Sequence, residues 1–131
     1  MLGIDTNVLV RFLVRDDEAQ FSRALNLIES EWRTGESILI SQLVLLETEW
    51  VLRSRYGLPK AEIANALANL LDAKEFQIED EPSLERALFA WRDSSVEFAD
   101  CLIAERHREL GCSATATFDS RAGKLPGFMA L

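Results

Sequence analysis

Histidine occurs once in the 131 residues, cysteine twice, proline three times and glycine six times. The lone His107 excludes a paired-histidine ribonuclease mechanism within one chain, and it reads as a surface or structural residue. Cys101 and Cys112 stand in no CxxC or finger-like spacing. That points to reduced thiols in a cytosolic protein, away from a disulfide scaffold or a zinc site. The prolines fall only at 59, 82 and 126, and no Gly/Ser tract or repeat interrupts the chain. One domain over residues 1–131 is the expectation. Apolar runs are short, at residues 38–40, 43–46 and 50–52. None approaches the roughly 18 apolar residues that span a bilayer. The opening Met-Leu-Gly-Ile-Asp has neither the basic nor the apolar region of a signal peptide, so a cytoplasmic protein with no membrane partner is expected.

Positive charge is also scarce: 14 Lys+Arg face 22 Asp+Glu, a net charge of −8. A binder that wraps nucleic acid on extended basic surface has the opposite balance. Contact with RNA or DNA would need a local patch or bound cations. No Walker A, G-x-G-x-x-G or G-x-S-x-G pattern occurs, which argues against phosphate-cradle enzymes and serine hydrolases.

What is present is helical periodicity with short β-type runs between. Residues 2–4 read as a buried strand ending at Asp5, and a helix opens at Thr6 and stops at Asp16 and Asp17. Further helices are expected over residues 18–33, 42–56 and 60–73, and from Pro82 to Trp91. Strands are expected at 38–41, 76–78 and 114–118, the first and last of them buried. Ser94-Ser95-Val96-Glu97 has capping-box spacing for a last helix that reaches Leu110 and ends at Gly111. Alternating strands and helices imply a three-layer α/β/α sandwich around a central, mostly parallel sheet. Ligands in such folds bind beyond the carboxyl ends of the strands.

Four acids stand out on that rule. Asp5 and Asp119 each follow a strand, although a helix N-cap or a turn would also explain them. Glu47 falls in a helical stripe with Leu43, Leu46, Trp50 and Val51, whereas its neighbour Glu49 reads as solvated. A carboxylate on an apolar stripe is costly unless paired or metal-bound. Asp100 lies in the first turns of the last helix, where an acid also complements the dipole, while Glu97 fills the capping position. Four unneutralised carboxylates at one sheet edge would repel one another. A hard divalent ion, Mg²⁺ or Mn²⁺, resolves this and suits phosphodiester hydrolysis.

Motifs extend the reading. The opening Gly3-Ile4-Asp5-Thr6-Asn7-Val8-Leu9-Val10, then Glu47-Thr48-Glu49-Trp50-Val51-Leu52, Phe98-Ala99-Asp100-Cys101-Leu102-Ile103-Ala104 and Ala116-Thr117-Phe118-Asp119 occur in this order from Leu2 to Pro126. In these the chain resembles PIN-domain ribonucleases, specifically the VapC-type toxins of bacterial toxin–antitoxin pairs. The resemblance implies that Asp5, Glu47, Asp100 and Asp119 hold Mg²⁺ or Mn²⁺, with Asp5 and Asp100 most directly tied to it. It implies that Thr117 supports the first aspartate and that Asn7 is the polar residue after it. Endonucleolytic RNA cleavage to 5′-phosphate and 3′-hydroxyl ends, inhibition by a cognate antitoxin and a homodimer are implied too. Glu97 stands where many relatives carry an aspartate.

Arg11, Arg15, Arg53, Arg55 and Arg121 are candidates to hold phosphates, though surface salt bridges would account for each singly. Trp32, Trp50 and Trp91 read as core or interface anchors, and the helices around Phe21 and Leu67 as a possible groove for an antitoxin helix. Two other function classes compete: a non-catalytic binding module on the same fold, and a phosphatase with Asp5 as nucleophile. Asn7 stands where the second aspartate of such a phosphatase belongs.

Overall fold

Short polar side chains set where most of the helices begin. The computed structural model describes residues 1–131, and in it Asp5, Asp17, Ser41 and Asp80 each accept a hydrogen bond from a backbone N–H three residues on. Each such cap satisfies one of the orphan donors of a first helical turn. The chain divides into two compact units, Met1–Glu79 and Asp80–Leu131.

The first unit runs β1 (Leu2–Gly3), α1 (Thr6–Leu13), α2 (Glu18–Arg33), β2 (Ile38–Ile40), α3 (Gln42–Ser54), α4 (Lys60–Asp72) and β3 (Phe76–Ile78). Its three strands pair in the order β1-β2-β3, all parallel, with Leu2 opposite Ile38 and Ile38 opposite Phe76. Helical crossovers are what parallel neighbours require. Ile38 and Ile40 on the central strand are fully buried, as are Leu9, Leu45, Leu52 and Leu67 from three of the helices. Phe12 stacks on Phe21 at 6.2 Å and meets Phe76 edge-on at 5.6 Å, tying α1 to α2 and to the third strand. The first strand departs from expectation: Leu2 and Gly3 are exposed, and burial begins only at Ile4.

The second unit runs α5 (Glu81–Arg92), α6 (Phe98–Glu109), β4 (Thr115–Thr117), a 3-10 turn (Ala122–Lys124) and β5 (Phe128–Ala130). Strands β4 and β5 pair in parallel, Thr115 opposite Phe128. Strand β5, three residues in a Gly/Pro-rich tail, is not among the expected strands, and β4 is half-exposed where a buried strand is expected. The core lies between α5 and α6, where Leu84, Ala87, Trp91, Phe98 and Leu102 are buried and Trp91 meets Phe98 edge-on at 5.2 Å. Trp91 is thus the core anchor foreseen. His107 takes a structural place, its Nδ1 hydrogen-bonded to Thr115 Oγ1 at 2.8 Å.

The capping box at Ser94 does not form. The helix opens three residues later, with Glu97 as an N-cap that makes no side-chain cap bond, and Ser94 Oγ accepts from the Val96 N–H instead. The end is as expected: Gly111 follows the helix at φ +97°, a conformation that glycine adopts without strain. Parallel strands alternating with six α-helices place the chain in the α/β sandwich class. No helix is long and apolar enough to cross a membrane.

Candidate functional site

Asp5 leaves β1 and caps α1, with Oδ1 accepting from the Val8 N–H at 3.0 Å. The capping role foreseen as an alternative is therefore real, and it uses one carboxylate oxygen only. The other is left for chemistry on an exposed side chain. Asp5, Asn7 and Glu47 line one groove of about 540 Å³, together with Leu43, Trp50 and Arg55. On its other side, Asp5 and Asn7 border a second groove of about 370 Å³ that contains Arg11, Gln20 and Arg23. Asp5 and Asn7 thus form the ridge between two grooves.

Glu47 does not lie on the buried stripe of α3. The buried face of α3 is Leu45, Thr48, Glu49, Val51 and Leu52, whereas Leu43, Glu47 and Trp50 are exposed. Leucines and valines occur all round this helix, so periodicity favoured the wrong stripe. Glu47 avoids the cost of burial by facing the groove. Glu49, expected in solvent, is buried at 3% exposure and ion-paired to Arg53 through Nε at 2.9 Å. Trp50, expected in the core, is 48% exposed. Its ring lies 5.9 Å from the Arg55 guanidinium carbon.

In the second unit, Asp100 occupies the first turn of α6. Burial raises its pKa, and the charges of Asp119 and Glu97 raise it further. Asp119 follows β4 and caps the 3-10 turn, with Oδ1 accepting from the N–H groups of Arg121 at 2.8 Å and Ala122 at 3.1 Å. Those two bonds, that to Ala122 foremost, hold its pKa below the usual carboxylate range, and the Arg121 charge adds to them. The Asp119 N–H in turn donates to Thr117 Oγ1 at 3.0 Å. Thr117 therefore braces the turn that carries Asp119. The charges of Asp119 and Glu97 thus both bear on Asp100.

The acids thus come in two sets, Asp5 with Glu47 and Asp100 with Asp119. No group of three or more His, Cys, Asp or Glu side chains gathers at metal-holding distances. The donor chemistry is nonetheless that of a hard divalent cation: every candidate is a carboxylate, and no histidine or thiol is among them. The repulsion at Asp100 is what such a cation would relieve.

Of the basic candidates, three are already engaged. Arg11 pairs with Asp16 at 3.5 Å and bonds Gln20 and Tyr56, Arg15 pairs with Glu18 at 3.0 Å, and Arg53 with Glu49. Arg55 pairs with no carboxylate and lines the groove of Asp5 and Glu47. Arg23 lines the second groove and is not one of the phosphate candidates that the sequence suggests. Its only signal is its place on the solvent-facing side of α2, which charge alone does not distinguish.

The PIN domain family matches residues 3–127, and the chain belongs to that family. PIN domains are in general metal-dependent nucleases that act on RNA. No curated protein and no solved structure gives a match.

Proposed function

We propose that this chain is an endoribonuclease that depends on Mg²⁺ or Mn²⁺, with Asp5, Glu47, Asp100 and Asp119 as the residues that hold the ion. The observation that carries the reading is the convergence of Asp5, Asn7 and Glu47 on one open groove, in a chain of the PIN domain family. A divalent ion, when bound, supplies water activation and neutralises charge building on the phosphate. The protein's own part is placement. The Val8 N–H fixes the Asp5 carboxylate, and the turn at Arg121 and Ala122 fixes Asp119 in its charged form. Asn7 offers an amide beside Asp5, and Thr117 steadies the second acidic element. In this reading the domain is one, spanning residues 1–131.

The finer role we infer is that of the toxin in a toxin–antitoxin pair, a cytoplasmic homodimer silenced by a cognate antitoxin. The order and spacing of the four motifs support it, and two cysteines outside any disulfide suit a reducing compartment.

The test is cleavage of structured RNAs by the purified chain in Mg²⁺, Mn²⁺ or EDTA, beside Asp5→Asn from the same preparation. Asparagine caps a helix as well as aspartate, so the fold is kept. Cutting that needs metal and is lost in Asp5→Asn is the expected result. Cutting that survives in EDTA or in the variant overturns the reading. Growth arrest on expression, relieved by a neighbouring antitoxin gene, is the expected sign of the toxin role.

A further inference from the structure

Trp50 is a large indole on the solvent face of α3, one helical turn beyond Glu47, at 48% exposure. The indole is apolar surface that a partner can cover, and Leu43, 78% exposed, lines the same groove. Its groove also holds Asp5, Asn7 and Glu47, so whatever covers the ring lies beside the proposed reacting phosphate. Arg55 sits 5.9 Å from the ring and has no carboxylate partner, leaving a guanidinium beside an aromatic face in a groove whose other charged residues are Asp5 and Glu47. A volume of about 540 Å³ is within the range of small-ligand sites.

We propose that Trp50 and Arg55 form a binding subsite for one nucleotide of single-stranded RNA, adjoining the scissile phosphate. The inference rests on the nuclease reading of Asp5 and Glu47. The Trp50 ring stacks on an unpaired base, and Arg55 takes the phosphate next to it. Base–aromatic stacking is tolerant of sequence, and it needs a base whose face is free. A duplex buries those faces within its own stack, so the subsite selects unpaired segments such as loops and ends. A local cation–aromatic pair also answers how a chain of net charge −8 engages a polyanion without an extended basic surface. Trp50 and Arg55 are thus specificity residues, separate from the acids that carry the chemistry.

The test uses the full chain with Asp5→Asn as background, so that binding is read without cutting. The probe is a fluorescein-labelled octaribonucleotide, free or annealed to its complement, followed by anisotropy in Mg²⁺. Trp50→Ala should weaken single-strand binding about tenfold, while Trp50→Phe retains most of it. Arg55→Ala should lower the slope of log affinity against log salt by about 1. The duplex should bind more weakly and ignore Trp50→Ala. Unchanged single-strand affinity in Trp50→Ala overturns the proposal. So does conversion of a dimer to a monomer by that substitution in sedimentation, which would mean that a second copy covers the indole. Binding of the probe through Trp50 in that background, with no RNA cut in any metal by the native chain, refutes the nuclease reading while leaving the subsite standing.

Discussion

Asp119 and Asp100 are driven in opposite directions by one arrangement. Two backbone N–H groups pull the Asp119 pKa down and keep it charged, and that charge joins burial in pushing the Asp100 pKa up. Neighbouring acids whose environments separate their pKa values are a pattern that acid–base and metal sites share.

The asymmetry has a sign that stability measurements read. Asp100 in the folded chain holds its proton more tightly than when unfolded, so its charge opposes folding above its folded pKa. That penalty is relieved as pH falls through the folded value. Asp100→Asn should therefore raise the melting temperature at neutral pH in EDTA by roughly 2 °C, about 0.5 kcal/mol after allowance for solvent screening. Mn²⁺ should raise the melting temperature of the native chain and leave the variant's unchanged. Metal affinity of the native chain should fall with pH over the window in which Asp100 takes up its proton. A variant less stable than the native chain in EDTA would show that Asp100 is structural.

Thr48 is fully buried on α3, and its Oγ1 has no hydrogen-bond partner. A hydroxyl in that condition has lost its water and gained nothing in return. Thr48→Val keeps the branched shape and removes the stranded group. It should stabilise the chain by about 1 kcal/mol, roughly 4 °C in melting temperature. RNA cleavage should be unaffected, since Thr48 faces away from the groove residues of its helix.

Asp80 begins the second unit with φ at +57°, a left-handed conformation uncommon outside glycine. Its Oδ1 accepts from the Ser83 N–H, and its Oδ2 accepts from the Ser83 hydroxyl and from Arg106 Nη1 at 3.0 Å. Burial pushes its pKa up, but these bonds and the Arg106 charge outweigh it, and the net shift is downward. The stabilisation is present above the unfolded pKa and is lost as pH falls through the folded one. Asp80→Asn keeps a cap and a residue tolerant of this backbone, so it should cost about 1 kcal/mol. Asp80→Ala loses both and should cost about 2–3 kcal/mol. Acid titration of stability should be shallower in Asp80→Asn than in the native chain.

Legibility in the sequence followed the strength of local signals. Helix α2 was read to the residue, because Asp17 caps it and its apolar spacing is regular. Punctuation residues point to both ends of α6, and only Gly111 lies where it predicts. Two serines before Val96 offered competing caps, and Ser94 spent its hydroxyl on a local turn. Strand β5 carries no alternation in three residues, and its pairing with β4 is fixed by register that no local pattern encodes. Asp5 and Asp119 were legible because a strand-ending aspartate precedes a turn or helix, whatever its chemistry. The burial of Glu49 was not, since its Arg53 partner lies four residues on, a spacing shared by ordinary surface pairs.

Glu47 and Glu49 give the sharpest contrast on one helix. The two acids are adjacent but for Thr48, and they face opposite environments. Glu47→Gln removes a charge from an exposed groove wall, so stability should change by less than about 0.5 kcal/mol. If the groove holds the ion, RNA cleavage should fall at least about 100-fold, since truncating a metal ligand or its support costs on that order. Glu49→Ala removes a buried side chain and its ion pair with Arg53. It should cost about 2 kcal/mol in denaturant unfolding, with residual cleavage per folded molecule near the native value. Reversal of the two results, stability lost at 47 and activity lost at 49, would place the reacting groove on the other face of α3.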